Sequence, residues 1–179
     1  MIKLIMASLM LLFGAEQALA DAREDCEKMS GDAAIAACNE AIRLNPKDAV
    51  SYINRGASYR EKGDNDRAIV DFNKAIEIDP KYAETYHNRG MVYLDRMDYD
   101  RAIVDFNKAI EINFKYAKAY YYRAVAYRAK GDIERAKADF RMVLQINPAD
   151  AEAKADLEKL GGAAVAADAR EDCHKLKWR

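Results

Sequence analysis

Arg67-Ala-Ile-Val-Asp-Phe-Asn-Lys-Ala-Ile-Glu-Ile78 recurs without a change as Arg101–Ile112. A further step of 34 residues finds the pattern again, weaker, from Arg135 to Ile146. The segments before each copy align at the same offset. Tyr52, Tyr86 and Tyr120 match, then Gly56, Gly90 and Ala124, then Tyr59, Tyr93 and Tyr127. Ala68, Ala102 and Ala136 follow, with Phe72, Phe106 and Phe140, and with Pro80, Phe114 and Pro148. Each unit reads as two amphipathic helices split by Gly63-Asp64, Met97-Asp98 or Gly131-Asp132. Gly or a flexible residue ends one helix, and Asp caps the next by accepting orphan backbone N–H groups. Small residues at 56, 90 and 124 and at 68, 102 and 136 let paired helices approach, and Tyr and Phe fill the spaces between hairpins. One such hairpin cannot bury its apolar side alone, so the hairpins must stack.

With these spacings, the chain resembles the tetratricopeptide repeat family, whose unit is a 34-residue helix–turn–helix. The resemblance covers Ala49–Asp150, and Cys38, Ala41 and Pro46 mark an abbreviated unit upstream. It implies an all-α fold: a right-handed α-solenoid of stacked hairpins with a C-terminal capping helix. The expected organisation is a secretory signal at 1–20 and a repeat domain at 21–160. That domain holds a short first unit at 21–48, repeats at 49–82, 83–116 and 117–150, and a cap at 149–160. A tail with an amphipathic pattern occupies 161–179. The expected helices are Ala22–Met29, Asp32–Leu44, Asp48–Lys62, Asp64–Ile78, Lys81–Arg96, Asp98–Ile112, Tyr116–Lys130, Asp132–Ile146 and Ala149–Leu160. Phe114 stands where the family closes its turn with Pro, which predicts a looser turn there.

Composition narrows the function classes. Hydrophobic residues make up 51% and charged residues 33%, a balance for a packed helical chain rather than a disordered one. The net charge of −1 supplies no basic face for nucleic acid. Lys3, the apolar run Leu4–Ala15 and the small-x-small Ala18-Leu19-Ala20 have the three parts of a cleaved signal peptide, with a mature start at Asp21. The apolar run is shorter than the ~20 residues of a membrane span, so no span is expected after cleavage. The setting implied is a bacterial periplasmic or secreted one. Disulfides are permitted there, and Cys26 and Cys38 are expected to join two helices of one hairpin. Cys173 is the third, odd cysteine.

Catalysis finds no footing. Only His87 and His174 are present, no His, Cys or Glu grouping has metal-ligand spacing, and no Gly-rich phosphate loop occurs. No enzyme activity, cofactor or metal is expected. A protein or peptide partner is. The resemblance implies that the first helix of each hairpin lines a concave groove. Carried over by register, that face comprises Val50, Ile53, Asn54, Ala57, Arg60 and Glu61; Glu84, His87, Asn88, Met91, Leu94 and Asp95; and Lys118, Tyr121, Tyr122, Val125, Arg128 and Ala129. Ile53, Met91, Leu94, Tyr121 and Val125 are the expected apolar floor, and Asn54 and Asn88 the side-chain amides that would hold a peptide backbone. Family members that bind chaperone tails hold a C-terminal carboxylate with Lys, Asn and Arg. Asn88 and Lys118 match that clamp, whereas Ile53, Ala57 and Tyr122 do not, so carboxylate-tail binding is not expected.

Ala20-Asp-Ala-Arg-Glu-Asp-Cys26 returns as Ala167–Cys173. In both copies Cys lies in an apolar stripe at helical spacing, with Ala22 and Met29 in one and Ala169 and Leu176 in the other. Three readings stay open: a frayed coding remnant, a helix packed after the cap, or a swapped element in which Cys173 joins Cys26 or Cys38 of a second copy. Self-assembly through the termini is the alternative to groove binding, with an accessory role in an envelope enzyme complex a third.

Overall fold

The structure, a computed structural model, describes residues 2–161, without side chains for 2–13 and 15. The tail expected at 161–179, with Cys173 and the second heptapeptide, lies outside the described residues beyond Gly161. Among the described residues there are helices and no strand: α1 (Ile2–Lys28), α2 (Gly31–Leu44), α3 (Ala49–Glu61), α4 (Asn65–Ile78), α5 (Ala83–Asp95), α6 (Tyr99–Ile112), α7 (Ala117–Ala129), α8 (Ile133–Ile146) and α9 (Ala151–Lys159). This is the all-α hairpin architecture expected. The helix limits differ from the expected ones mainly at the starts, because Asp64, Asp98 and Asp132 stand outside the helices as caps. Each accepts the backbone N–H of the residue three positions on, at 3.1 to 3.2 Å. The first helix differs more. It runs unbroken through Ala18–Ala20, where the sequence predicts cleavage, and not only over Ala22–Met29.

The chain divides into two compact units, Met1–Val92 and Tyr93–Arg179. Hairpin stacks make mostly neighbour contacts, so such a chain divides readily. In the first unit α1 packs on α2, α2 on α3 and α3 on α4. Cys26 and Cys38 form a disulfide between α1 and α2. Ile53, Ala68, Phe72, Ala75 and Val92 make its core, with Tyr52, Tyr59 and Ile69 against them. Gly56 is where α3 meets α4: a Cβ there would lie 2.9 Å from Phe72 Cε1. In the second unit α6 packs on α7, α7 on α8 and α8 on α9. Phe140, Val143 and Ala136 of α8 meet Tyr120 and Ala124 of α7, and Ala153 and Leu157 of α9 close that core.

The turns within hairpins need a left-handed residue. Gly63 and Gly131 supply it at φ 78° and 81°, while Met97 adopts φ 59° at the same register, a conformation that costs a side-chain-bearing residue about 1–2 kcal/mol. The turns between hairpins do not depend on proline. Asn113 Oδ1 accepts the Lys115 N–H at 3.1 Å, as Asn45 does from Lys47 at 3.1 Å and Asp79 from Lys81 at 2.9 Å. The turn that carries Phe114 is therefore not looser than its relatives: the Asx bond sets its shape, and the Asn113 backbone (φ −133°, ψ 94°) repeats that of Asp79 (φ −134°, ψ 94°).

Candidate functional site

The first helices of the hairpins carry two kinds of position, and only one kind faces solvent. Exposed or half-buried are Val50, Asn54, Ala57 and Arg60 on α3, with Glu84 and Asn88 on α5 in the same unit. Lys118 and Tyr122 hold the corresponding positions of α7 in the second unit, Lys118 exposed and Tyr122 half-buried. Leu94 is half-buried and Asp95, Glu61 and Ala129 are exposed.

The expected apolar floor is largely consumed by packing. Ile53 is 3% exposed and belongs to the core with Phe72 and Val92. His87 and Met91 are buried as well, so neither presents its side chain to a ligand. Val125 packs on the second unit's core. Tyr121 meets the Phe140 ring edge-on at 5.5 Å and donates its hydroxyl to Asp156 Oδ2 at 3.0 Å. Burial, then that bond, pushes the Tyr121 phenol up to about 12. Arg128 reaches the same carboxylate, Nη1 to Oδ1 at 3.1 Å. Burial alone would raise the Asp156 carboxyl, but bonds from Lys159, Tyr121 and Arg128 outweigh it and hold it below the ordinary carboxylate range. The cap helix α9 is thus fastened by α7 residues that the sequence assigned to a ligand. Ile53 and Tyr121 share a position in the 34-residue register, and in each unit that position packs on the core.

A repeated polar staple escaped the sequence reading. Arg55 sends Nε and Nη2 to the two carboxylate oxygens of Asp71 at 2.8 and 2.6 Å, and Nη1 to Asn39 Oδ1 at 2.6 Å. Arg123 does the same to Asp139, at 2.7 Å twice, and to Asn107 at 2.6 Å. Arg89 bonds Asn73 Oδ1 at 2.6 Å. Each guanidinium also lies over a Tyr ring, Tyr52, Tyr86 or Tyr120, at 5.3 to 5.8 Å. One arginine therefore ties its own hairpin to the hairpin before it. The signal was available, since Arg55, Arg89 and Arg123, Asp71, Asp105 and Asp139, and Asn39, Asn73 and Asn107 all recur at the 34-residue step. Ion pairs add to it outside the core, as in Lys62 with Asp32 and Lys130 with Asp100.

Among the described residues no group of three His, Cys, Asp or Glu side chains is placed to hold a metal ion. No helix among them is long and apolar enough to cross a membrane.

Models of the tetratricopeptide repeat match residues 37–70, 83–116 and 117–150, and a further TPR repeat model matches 56–96. Among solved structures, the first TPR of Spaghetti (RPAP3) bound to the HSP90 peptide SRMEEVD is 32% identical, with a TM-score of 0.63. That match covers 65% of this chain and 93% of the other. The second TPR domain of human RPAP3 in complex with the HSP70 peptide SGPTIEEVD is 33% identical (TM-score 0.60), covering 63% and 94%. MamA is 25% identical (TM-score 0.67), covering 72% and 75%. No curated protein sequence matches the chain.

Proposed function

The chain belongs to the tetratricopeptide repeat family, and from that premise we propose that it is a non-catalytic scaffold that captures an extended peptide segment on α3 and α5. Asn54 and Asn88 carry the proposal. They occupy the same register on successive first helices of one unit, and both stay accessible where Ile53 and Met91 do not. A side-chain amide offers one acceptor and two donors, the set that an extended backbone needs at regular intervals. Val50 and Ala57 add apolar contact, and Arg60 and Glu84 add charges of opposite sign along the same face. Lys118 and Tyr122 give α7 a face of the same kind in the second unit.

The RPAP3 domains bind peptides that end in Glu-Glu-Val-Asp. This chain is proposed to take a different class of segment. Ile53 is in the core, and Ala57 and Tyr122 cannot supply the amide and cation that a terminal carboxylate would require. The leader pattern at 1–20 and the Cys26–Cys38 disulfide support an exported protein, since disulfides persist in oxidising compartments.

A displayed peptide library selected on the purified chain tests this reading. Binding of the selected peptide should weaken at least tenfold in Asn54→Ala/Asn88→Ala, with helicity by circular dichroism retained. Val70→Ser/Val104→Ser, which alters exposed side chains of the second helices, should leave affinity unchanged. The reading fails if the two double variants behave the other way round.

A further inference from the structure

The first copy of the repeated heptapeptide lies in α1, and three of its groups make its contacts. Ala22 and Cys26 are buried, Cys26 is bonded to Cys38, and Arg23 Nε stands 3.0 Å from Asp48 Oδ2. Asp48 is itself buried and accepts the Ser51 hydroxyl at 2.6 Å. The remaining charged side chains, Asp21, Glu24 and Asp25, are exposed, with Glu24 paired to Lys28 along the helix. The C-terminal copy brings each contacting group in the same order, as Ala169, Arg170 and Cys173. The match continues past the identical residues. Glu171 and Lys175 keep the Glu24–Lys28 spacing, and Leu176 stands where Met29 does, although His174 replaces Glu27.

We infer that the C-terminal copy of a second molecule takes the place of Ala20–Cys26 against α2 and α3, joining two chains by thiol–disulfide exchange. The Cys173 thiolate attacks Cys38 Sγ, the Cys38–Cys26 bond breaks, the Cys38–Cys173 bond forms, and Cys26 leaves and takes up the proton that Cys173 released. One disulfide and one thiol stand on each side of this step, so no oxidant is consumed. Cys38 is the sulfur attacked because it stays in the seat, while Cys26 belongs to the segment replaced. Asp48 supplies the selectivity. A buried carboxylate left without its cation is strongly unfavourable, and Arg170 restores what Arg23 removes. Both sulfurs are buried, so exchange waits on local opening of α1.

A second molecule is the donor because reciprocal exchange fills both seats in a closed two-fold dimer, and swapping an equivalent element is a low-cost route to one. The proposal is independent of peptide capture on α3 and α5.

The test uses the full chain with its disulfide formed, under oxygen-free buffer with a chelator, at rising concentration. Non-reducing mass spectrometry should show a doubled mass, a Cys38–Cys173 cross-link by peptide mapping, and one alkylatable thiol per chain, at Cys26. Dilute urea should speed its appearance. Arg170→Glu should slow it at least tenfold, and Cys173→Ser should abolish it. A thiol peptide of residues 167–179 added to the Cys173→Ser chain should form one adduct, at Cys38. A monomer with Cys173 fully alkylated, a Cys38–Cys173 bond within one chain, a Cys173–Cys173 link, a peptide adduct at Cys26, or an Arg170→Glu rate equal to that of the parent would each overturn the proposal.

Discussion

Replacing Arg55 by Met tests whether the polar staple holds the hairpins together. Asp71 is 3% exposed and takes two bonds from the guanidinium fork, at 2.8 and 2.6 Å. Arg55→Met leaves that carboxylate buried and unpaired, a loss of about 3–5 kcal/mol. Asp71→Leu is milder, about 1–3 kcal/mol, because Arg55 keeps its bond to Asn39 and its side chain is 19% exposed. Arg55→Met/Asp71→Leu removes both desolvated charges and should return to within about 1 kcal/mol of the parent. The coupling is then about 3 kcal/mol or more, at the upper end for contacting pairs. Against a total stability of about 5–15 kcal/mol, such a change is easily measured. Urea unfolding followed by far-UV circular dichroism gives it, with the slope showing whether the whole array or one hairpin melts. A loss under about 1 kcal/mol for Arg55→Met, or a double variant equal to the sum of the singles, would reduce the staple to a screened surface pair and refute the reasoning.

Thr85 is fully buried and its hydroxyl has no partner among the described residues, whereas Ser51 at the same register bonds Asp48 and the third repeat uses Ala119. Thr85→Val should therefore leave stability unchanged or raise it by about 1 kcal/mol, and a loss above about 1 kcal/mol in urea unfolding would show a hidden bond. Met97→Gly should stabilise by about 0.5–1 kcal/mol, relief of the left-handed strain exceeding the added freedom of the unfolded chain, and a lowered melting temperature would contradict it. Asp156 is held below the ordinary carboxylate range when folded. Its contribution should be complete above the unfolded carboxyl's pKa and disappear as pH falls through the depressed folded value; Asp156→Asn should flatten that acid limb of the urea midpoint. Tyr121, raised to about 12, has the opposite sign. Its contribution should be complete below the phenol's ordinary range and lost as pH rises to about 12, and Tyr121→Phe should remove that alkaline fall.

The hairpin register was legible because packing writes it in residue size. Gly56 must be small against Phe72, and Ala68, Ala75 and Phe72 are fully buried, so the repeats keep these sizes at one spacing, with Val143 in place of Ala75 in the third. The face proposed to bind was harder to read. An apolar side chain on an inner helix serves stacking or a ligand equally well by pattern; Ile53 and Tyr121 turn out to stack, and Met91 is buried. Nothing local in Tyr121 or Arg128 announces Asp156, a partner in α9. The Arg55–Asp71 pairing was visible as recurring charges, yet charge on a helix ordinarily reads as solvated surface. Phe114 misled for the reverse reason: the proline it replaces looks decisive, while the neighbouring Asn113 shapes the turn.

The most direct test of peptide capture on α3 and α5 follows the side-chain amide signals of Asn54 and Asn88 by nuclear magnetic resonance as a library-selected peptide is titrated in. The account predicts that both shift and saturate together with binding. Unmoved Asn54 and Asn88 amides under a saturating peptide, with shifts around Val70 and Val104 instead, would contradict it.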